Sequence, residues 1–371
     1  MKQKNIINGW LNVDKPQGLT SADVVNIIKK ILRPVKIGHT GTLDPMATGV
    51  LPIALGEATK LIQFIENKRK TYEFRIVFGA ETDTDDAEGK IIKKCEKIPK
   101  IDEILAILPQ FIGKIKQKPP IYSALKINGV RAYELARVGK APEMKDREVE
   151  VFELGISSSL RGADATKQSI LISETQSPID CFANARNDTS VLLPASHFLP
   201  PIITATVSRG TYIRTLAKDI AAELGTLGHI DYLRRTKDGV FELGNSSSLR
   251  EAYATKQPIL TGQITDPMDC FANGRNDKNA LIPNACFLDP NKDLQSIKND
   301  LLNQLSEIDF VLDDIPVLNL NSADALRLRQ GQKIPNQGNQ EGIYKLYNEG
   351  SLQAMVEVSD GLIRIVRGIN L

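Results

Sequence analysis

Hydrophobic and polar positions follow two different periods along the chain. A helical period runs over residues 24–32, directly after Thr20-Ser21-Ala22-Asp23, which has the spacing of a capping box. A period of two runs over residues 72–78 and predicts a half-buried strand. The uninterrupted apolar run over residues 50–55 predicts a buried strand. The chain therefore mixes helices with strands.

Further elements are predicted from the same patterns and from the Pro and Gly residues that end them. The predicted helices cover residues 58–66, 101–108 before Pro109, and 215–224 before Gly225. Strands at 149–154 and 203–208 are predicted to form a hairpin, and a further helix is expected near 293–307. Beyond about residue 316, strands at 343–347, 352–358 and 362–366 alternate with glycine turns. An α+β protein with a small C-terminal β unit is the expectation.

One segment occurs twice. FELGISSSLRGADATKQSIL begins at Phe152, and FELGNSSSLREAYATKQPIL begins at Phe241. Both copies are rich in Ser, Asn, Asp, Thr and Gln and lack sustained periodicity, and two separated copies do not make a solenoid. They resemble a mobile element inserted twice, similar to the palindromic coding repeats of some intracellular bacteria. Two disordered surface loops and a duplicated binding loop are the alternatives.

Composition places the chain among ordinary soluble proteins. It has 371 residues, of which 42% are hydrophobic and 25% are charged. No apolar run reaches the roughly 18 to 20 residues of a membrane span, and the N-terminus lacks a signal-peptide pattern. The four cysteines form no C-x-x-C pair, so we expect reduced thiols in a cytoplasmic protein.

Charge is distributed unevenly although the net value is only +2. Lys and Arg outnumber Asp and Glu between residues 113 and 147, and a second basic cluster occupies residues 68–70. Such clusters can follow a phosphate backbone, or they can be solvated basic faces. Charge alone leaves these two readings open.

The loop GHTGTLDPMATG, residues 38–49, holds the most informative carboxylate. Asp44 precedes Pro45 in a restricted backbone whose N–H groups can orient the anion and keep it ionised, although Asp-Pro also forms ordinary turns. DTDDAEG departs from an EF-hand, and neither a P-loop nor a dinucleotide fingerprint is present. We therefore expect no metal, ATP or nicotinamide cofactor.

Six segments in one order resemble the TruB-type tRNA pseudouridine synthases, which modify uridine 55 in the T arm of tRNA. They are LNVDKPQGLTS (11–21), GHTGTLDPMATGVLPIALGEATK (38–60), KTYEFRIVFGAETDTDDAEG (70–89), PPIYSALKINGVRAYELAR (119–137), SRGTYIRTLAKDIAAELG (208–225) and YLRRTKDGVF (232–241). The resemblance implies a catalytic domain with a mixed sheet and a central RNA cleft, followed by a small PUA-like β domain. A β unit that completes the core without touching RNA is an alternative for the C-terminal part.

The resemblance also assigns catalytic roles. Asp44 matches the catalytic aspartate, which acts either as a nucleophile or as a base at the sugar. Arg214 matches the arginine that pairs with this aspartate, so Arg214→Lys is not conservative. Tyr72 matches the tyrosine that stacks on the target base, with a core aromatic as the alternative.

Substrate-binding roles follow in the same way. His39 matches the histidine that fills the space left by the flipped nucleotide, and Tyr212 and Leu233 match positions lining the base pocket. Lys15, with Pro16, matches the motif that supports the catalytic loop, and its own role is either structural or direct. Asp86 and Lys126 lie in family segments, where they brace the pocket or contact RNA.

The sequence thus predicts a cofactor-free, monomeric enzyme that isomerises a tRNA uridine, with a noncatalytic RNA-binding or RNA-folding protein as the alternative, and an enzyme of this fold acting on another RNA as a further one. The predicted domains are a catalytic domain at 1–244 interrupted by an insert at about 156–201, a second repeat at 245–291, a linker helix at 292–314, and a β domain at 315–371.

Overall fold

The computed structural model describes residues 4–65, 68–140, 143–157, 200–243, 293–348 and 350–370. Most of each repeat lies outside these residues, so the expectations for the two inserts stay predictions. The α-helices are α1 (Ser21–Leu32), α2 (Ile62–Ile65), α3 (Ile101–Ile107), α4 (Ala132–Arg137), α5 (Ile213–Glu223), α6 (Leu294–Asn303) and α7 (Ser322–Arg329). The first strands are β1 (Gly9–Lys15), β2 (Ile37–His39), β3 (Thr48–Leu55), β4 (Lys70–Phe78), β5 (Ala80–Thr82), β6 (Ile91–Lys94), β7 (Gly113–Gln117), β8 (Lys126–Ile127) and β9 (Val130–Arg131). The remaining strands are β10 (Arg147–Ile156), β11 (Ile202–Val207), β12 (Gly228–Asp238), β13 (Phe241–Glu242), β14 (Val317–Leu318), β15 (Ile334–Pro335), β16 (Gly342–Asn348), β17 (Ser351–Ser359) and β18 (Leu362–Gly368).

The strongest sequence patterns are confirmed. Thr20 caps α1 with the expected capping box: its hydroxyl accepts from the Asp23 N–H at 3.1 Å, and the Asp23 carboxylate accepts from the Thr20 N–H at 2.9 Å. Every residue of β3 is buried. Burial alternates residue by residue along β4, as the period of two predicts.

Two helix predictions need correction at their boundaries. The segment predicted as one helix at 58–66 forms a 3₁₀-helix at Gly56–Lys60 followed by the single turn α2, because the chain closes i→i+3 bonds such as Leu61 N–H to the Ala58 carbonyl. Helix α5 begins at Ile213, two residues before the predicted start. The apolar stripe in fact starts there, since Ile213, Leu216, Ala217 and Ile220 are all buried.

The described residues form two compact units. The first lies within Met1–Pro45, Gly49–Glu66 and Gly239–Leu371, and the second lies within Met46–Thr48 and Asn67–Asp238. The domain boundaries predicted from the sequence stay predictions.

In the first unit, β1 and β2 each pair antiparallel with β3. Trp10 on β1 is fully buried, packs against Phe241 with 5.8 Å between ring centroids, and donates its indole N–H to the Ile308 carbonyl at 2.9 Å. The same core includes Leu352 and Met355 of β17. The C-terminal strands form a mixed sheet in the order β14-β16-β17-β18-β15, with β14 and β16 parallel, and its three long strands are those predicted.

In the second unit the strand order is β12-β4-β11-β10-β7, and the strands pair antiparallel. The predicted hairpin of β10 and β11 is confirmed, with pairing that reaches Ile156 and Ile203. Helix α5 packs on β12 and β4. Its close approach requires Gly228, because a Cβ there would lie 2.8 Å from Ala221 Cβ and 3.0 Å from Ile76 Cγ2. The α+β class predicted from the sequence is confirmed.

Candidate active site

The loop that carries Asp44 is fastened on both sides of this residue. On one side, the buried Ser21 hydroxyl at the start of α1 accepts from the Leu43 N–H at 2.8 Å and donates to the Leu43 carbonyl at 3.2 Å. On the other side, the Pro45 carbonyl accepts from the Gly18 N–H at 2.8 Å. Asp44 itself is half-buried. Both of its neighbours in the chain are therefore held in place.

Lys15 contributes a further contact to this loop from the end of β1. Its ammonium group is fully buried and donates to three backbone carbonyls: Pro16 at 2.8 Å, Leu19 at 2.5 Å and Pro45 at 3.2 Å. A buried ammonium is tolerated only where its donors are satisfied. These contacts link the turn after β1 to the residue that follows Asp44.

His39 is the last residue of β2, at the entrance to the same loop. It pairs with Ile53 of β3 and is half-buried. Lys15, His39 and Asp44 all belong to the first unit.

Two base-pocket candidates share one face of the sheet in the second unit. Tyr72 of β4 pairs with Ala205 of β11 and Arg235 of β12, and Leu233 pairs with Phe74. Register partners and alternate residues of a strand point to the same face, so Tyr72 and Leu233 are diagonal neighbours. Both side chains are buried.

Arg214 lies in the first turn of α5 and is held by groups from two loops. Its guanidinium donates to the Thr84 carbonyl at 2.8 Å and to the Tyr122 carbonyl at 2.9 Å, using different nitrogens. The Asp86 carboxylate lies 3.5 Å from the same group. Arg214 is buried, and these hydrogen bonds fix the direction of its planar, charged guanidinium group.

Asp86 is itself fixed within its loop. One carboxylate oxygen accepts from the Thr84 hydroxyl at 2.6 Å and from the Glu88 N–H at 3.1 Å, while the other faces Arg214. The structure therefore brings Asp86 together with Arg214. Lys126 is exposed on the β8–β9 hairpin, where it pairs with Arg131.

An ion-pair network beside Arg214 was not predicted from the sequence. Lys218, one helical turn after Arg214, contacts the Glu81 carboxylate at 2.7 Å and the Asp85 carboxylate at 3.0 Å. Burial alone would lower the pKa of Lys218, but hydrogen bonds to these carboxylates raise it above its ordinary value. The hydrogen bond from Lys218 lowers the pKa of Glu81 despite its burial. The only sequence signal was a lysine at i+4 from Arg214 and a distant acidic loop.

The neighbouring Asp219 behaves in the opposite way. Burial raises the pKa of its carboxyl group to about 6, and the nearby Asp85 adds to the rise while Lys218 opposes it. Tyr212 precedes α5 and is half-buried. Together with Tyr72, Asp86, Lys126, Arg214 and Leu233, it belongs to the second unit.

Among the residues that the structure describes, no three or more His, Cys, Asp or Glu side chains are grouped as metal ligands. No helix within the described ranges is long and apolar enough to span a membrane.

Comparison with known proteins gives concordant matches. Residues 29–173 match the TruB family pseudouridylate synthase (N terminal domain), and residues 316–366 match the domain described as pseudouridine synthase II TruB, C-terminal. A tRNA pseudouridine synthase B of Rickettsia bellii is 38% identical over 87% of this chain and 85% of its own length. The protein of the same description from Zymomonas mobilis is 34% identical over 98% of this chain and 96% of its own.

A solved structure shares the fold. An H/ACA ribonucleoprotein bound to a substrate RNA containing 2′-deoxyuridine includes a chain that superposes with a TM-score of 0.55 and 18% identity, covering 98% of this chain and 85% of that one.

Proposed function

We propose that this chain modifies uridine 55 in the T arm of tRNA and that Asp44 is the catalytic carboxylate. The chain belongs to the TruB family of pseudouridine synthases and forms pseudouridine in tRNA. The observation that carries the proposal is the loop around Asp44. Ser21 holds the residue before it, and Gly18 and Lys15 hold the residue after it. A carboxylate kept at one place in a half-buried loop suits an attack on a bound nucleotide.

The reaction requires no redox step. The N-glycosidic bond to uridine N1 breaks, the detached base turns, a bond forms to C5, and the proton on C5 leaves while N1 gains one. A single carboxylate can promote these steps either by attacking the sugar or by removing a proton from it. Both routes are consistent with the position of Asp44, and neither calls for a metal or an organic cofactor.

Arg214 is proposed to orient and stabilise the Asp44 carboxylate, the role that its place in the family segment implies. Its contacts with Thr84, Tyr122 and Asp86 support a fixed direction for the guanidinium. A guanidinium so held acts as a preorganised partner for an anion. Asp86 and Lys15 are then positioning residues.

The target base is proposed to leave the RNA stack and to lie against Tyr72, with Tyr212 and Leu233 completing the pocket. The pairing of Tyr72 and Leu233 positions on one sheet face supports this assignment. His39 would occupy the space that the base leaves, which offsets part of the few kcal/mol lost on unstacking.

The remaining tRNA is proposed to be held by the basic segment at 113–147, including Lys126, and by residues 68–70. Recognition would depend on backbone and shape, and it would weaken as salt rises. We further propose that the protein acts in the cytoplasm as a monomer and that the two repeats are inserted mobile-element sequences without a catalytic role.

The test is incubation of the protein with an unmodified tRNA transcript followed by pseudouridine mapping. A matched transcript carries cytidine in place of uridine 55. Conversion of that one uridine, with none elsewhere in the matched transcript, supports the proposal. Conversion at another position contradicts the assignment of uridine 55, and binding without any conversion favours the noncatalytic alternative.

A further inference from the structure

Gln117, the last residue of β7, makes an unusual pair of contacts with one backbone unit. Its side-chain carbonyl accepts from the Tyr212 N–H at 3.1 Å, and its side-chain N–H₂ group donates to the Tyr212 carbonyl at 3.4 Å. The side chain is buried, with 1% of its surface exposed. One amide thus pairs with both polar groups of one residue, as a neighbouring strand would.

Tyr212 is the N-cap residue, directly before α5. It has an extended backbone with φ of −99° and ψ of 112°, and no side chain caps the helix at this point. The Tyr212 carbonyl accepts the first helical bond, from the Leu216 N–H at 3.0 Å. Whatever fixes Tyr212 therefore fixes where α5 begins and how its first turn is directed.

The segment that follows Gln117 fastens the same turn at two further points. The Thr215 hydroxyl donates to the Lys118 carbonyl at 3.3 Å, and Arg214 donates to the Tyr122 carbonyl. Tyr212, directly before α5, and Arg214 and Thr215 in its first turn are therefore tied to residues 117–122. The other two contacts use backbone carbonyls, and Gln117 supplies the one side chain that both donates and accepts.

A purely space-filling role does not explain this residue type. Burying an amide carries a free-energy cost unless both its donor and its acceptor are paired, and Met or Leu would fill a similar volume without that cost. Among neutral side chains of this length, Gln is the one that presents a donor and an acceptor in one plane. An amide at this position therefore indicates that the two hydrogen bonds of Gln117 orient the backbone of Tyr212.

We infer that Gln117 is a positioning residue for the reaction, acting through Tyr212 and the first turn of α5 on the direction of Arg214. The inference rests on the roles proposed above for Tyr212 and Arg214. Gln117 touches no substrate in this scheme. Its loss shifts pocket groups by a fraction of an ångström, which lowers the rate of the chemical step without weakening tRNA binding.

Two variants of Gln117 separate the effect of its hydrogen bonds from the effect of its volume. Gln117→Met keeps the volume and removes both contacts. Gln117→Glu keeps the acceptor for the Tyr212 N–H but places a carboxylate oxygen against the Tyr212 carbonyl. Protonation of that glutamate restores an O–H donor, and burial brings its pKa up into an accessible range.

Single-turnover rates and tRNA affinities are measured at several pH values for both variants, relative to the native protein at each pH. At pH 8, both variants should lose on the order of 10- to 100-fold in rate, with affinity within about threefold of native. Between pH 8 and 5.5, Gln117→Glu should recover part of its relative rate, whereas Gln117→Met should recover none. A residue with only a structural role would not produce this difference between the two variants in the pH dependence of the rate.

Thr226→Val is the matched control, because it removes a buried hydroxyl that donates to the Lys97 carbonyl at 2.6 Å just beyond the other end of α5. It should lower the melting temperature and leave the single-turnover rate unchanged. Native rates in both Gln117 variants overturn the inference, as does an equal loss of rate in Thr226→Val. Absence of any conversion by the native protein would instead overturn the proposed function itself.

Discussion

At the scale of single residues, Arg214 shows why the type of cation matters. Its guanidinium spans two carbonyls, those of Thr84 and Tyr122, that come from different loops, and it also faces the Asp86 carboxylate. A lysine ammonium is a single point of charge at the end of a flexible chain. It cannot meet both carbonyls and still present a fixed face to a substrate.

Replacing Arg214 with Lys should therefore lower the turnover rate by about 100-fold while leaving the tRNA affinity nearly unchanged. Steady-state kinetics with mapped product formation measures both quantities. Arg75→Lys is the matched control, because Arg75 makes a two-point contact with Asp231, at 2.9 and 2.8 Å, outside the proposed pocket. Equal rates for Arg214→Lys and the native protein would contradict the assigned role.

Asp219 provides a second prediction at this scale, concerning stability. Burial raises the pKa of its carboxyl group from 3.8 to about 6 in the folded protein, so folding favours the protonated form. The resulting stabilisation is fully present below about pH 4 and is lost as pH rises through 6. Asp219→Asn should therefore raise the free energy of unfolding at pH 8 by about 1 kcal/mol, after a discount for partial solvation, and should give no gain near pH 4. Thermal denaturation across this range measures the effect, and a gain independent of pH would contradict it.

At the scale of elements, the packing of α5 on the sheet depends on an absent side chain. Gly228 has Ala221 on the helix and Ile76 on the sheet within contact distance of where a Cβ would lie. Neither neighbour is the far end of a flexible side chain, so relief requires movement of the helix or the strand.

Gly228→Ala is expected to destabilise the fold by about 1 to 3 kcal/mol. Chemical denaturation measures the change in the free energy of unfolding. Gly155→Ala in β10 is the control, because a Cβ there meets no atom within 4 Å. A similar free energy for both variants would show that α5 does not pack as described.

The β10–β11 hairpin carries the second element-level prediction. Its strands stay paired to the edge of the described residues, with Ile156 opposite Ile203 and the Ser157 N–H bonded to the Ile202 carbonyl at 2.9 Å. Replacing residues 158–199 with an Asn-Gly turn should therefore leave the hairpin and the single-turnover rate intact. A large gain in turnover would show that the repeat restrains catalysis, and a large loss would show that it contributes.

An element can be predicted from the sequence when the contacts that define it lie within a few residues of one another. The capping box of α1 and the alternation along β4 are encoded within a few residues, and both were predictable. The start of α5 depends on both kinds of cause: a local apolar stripe that begins at Ile213, and the contact of Tyr212 with Gln117, nearly a hundred residues earlier. The 3₁₀-helix at Gly56–Lys60 has the same apolar pattern as an α-helix, so periodicity does not distinguish the two.

At the scale of the whole molecule, the candidate residues are distributed over both compact units, with Asp44 in the first and Arg214 in the second. Segment resemblance selected these residues, since no short-range rule marks Asp44 as more than part of a turn. The braces around them, Ser21 on Leu43 and Lys218 on Asp85, link residues far apart in the chain. Sequence periodicity contains no signal for such pairs.

The central claim is that Asp44 performs the chemistry of pseudouridine formation in tRNA. Asp44→Asn keeps the size of the side chain and removes its charge and its nucleophilic oxygen, so the loop and its Ser21 and Lys15 contacts should remain. The decisive measurement is single-turnover conversion of a bound T-arm uridine by this variant beside the native protein, with tRNA affinity measured for both. We predict affinity within about threefold of native and no detectable pseudouridine, because a group that acts in the chemical step contributes little to binding. Conversion by Asp44→Asn at a rate near that of the native protein would contradict this account.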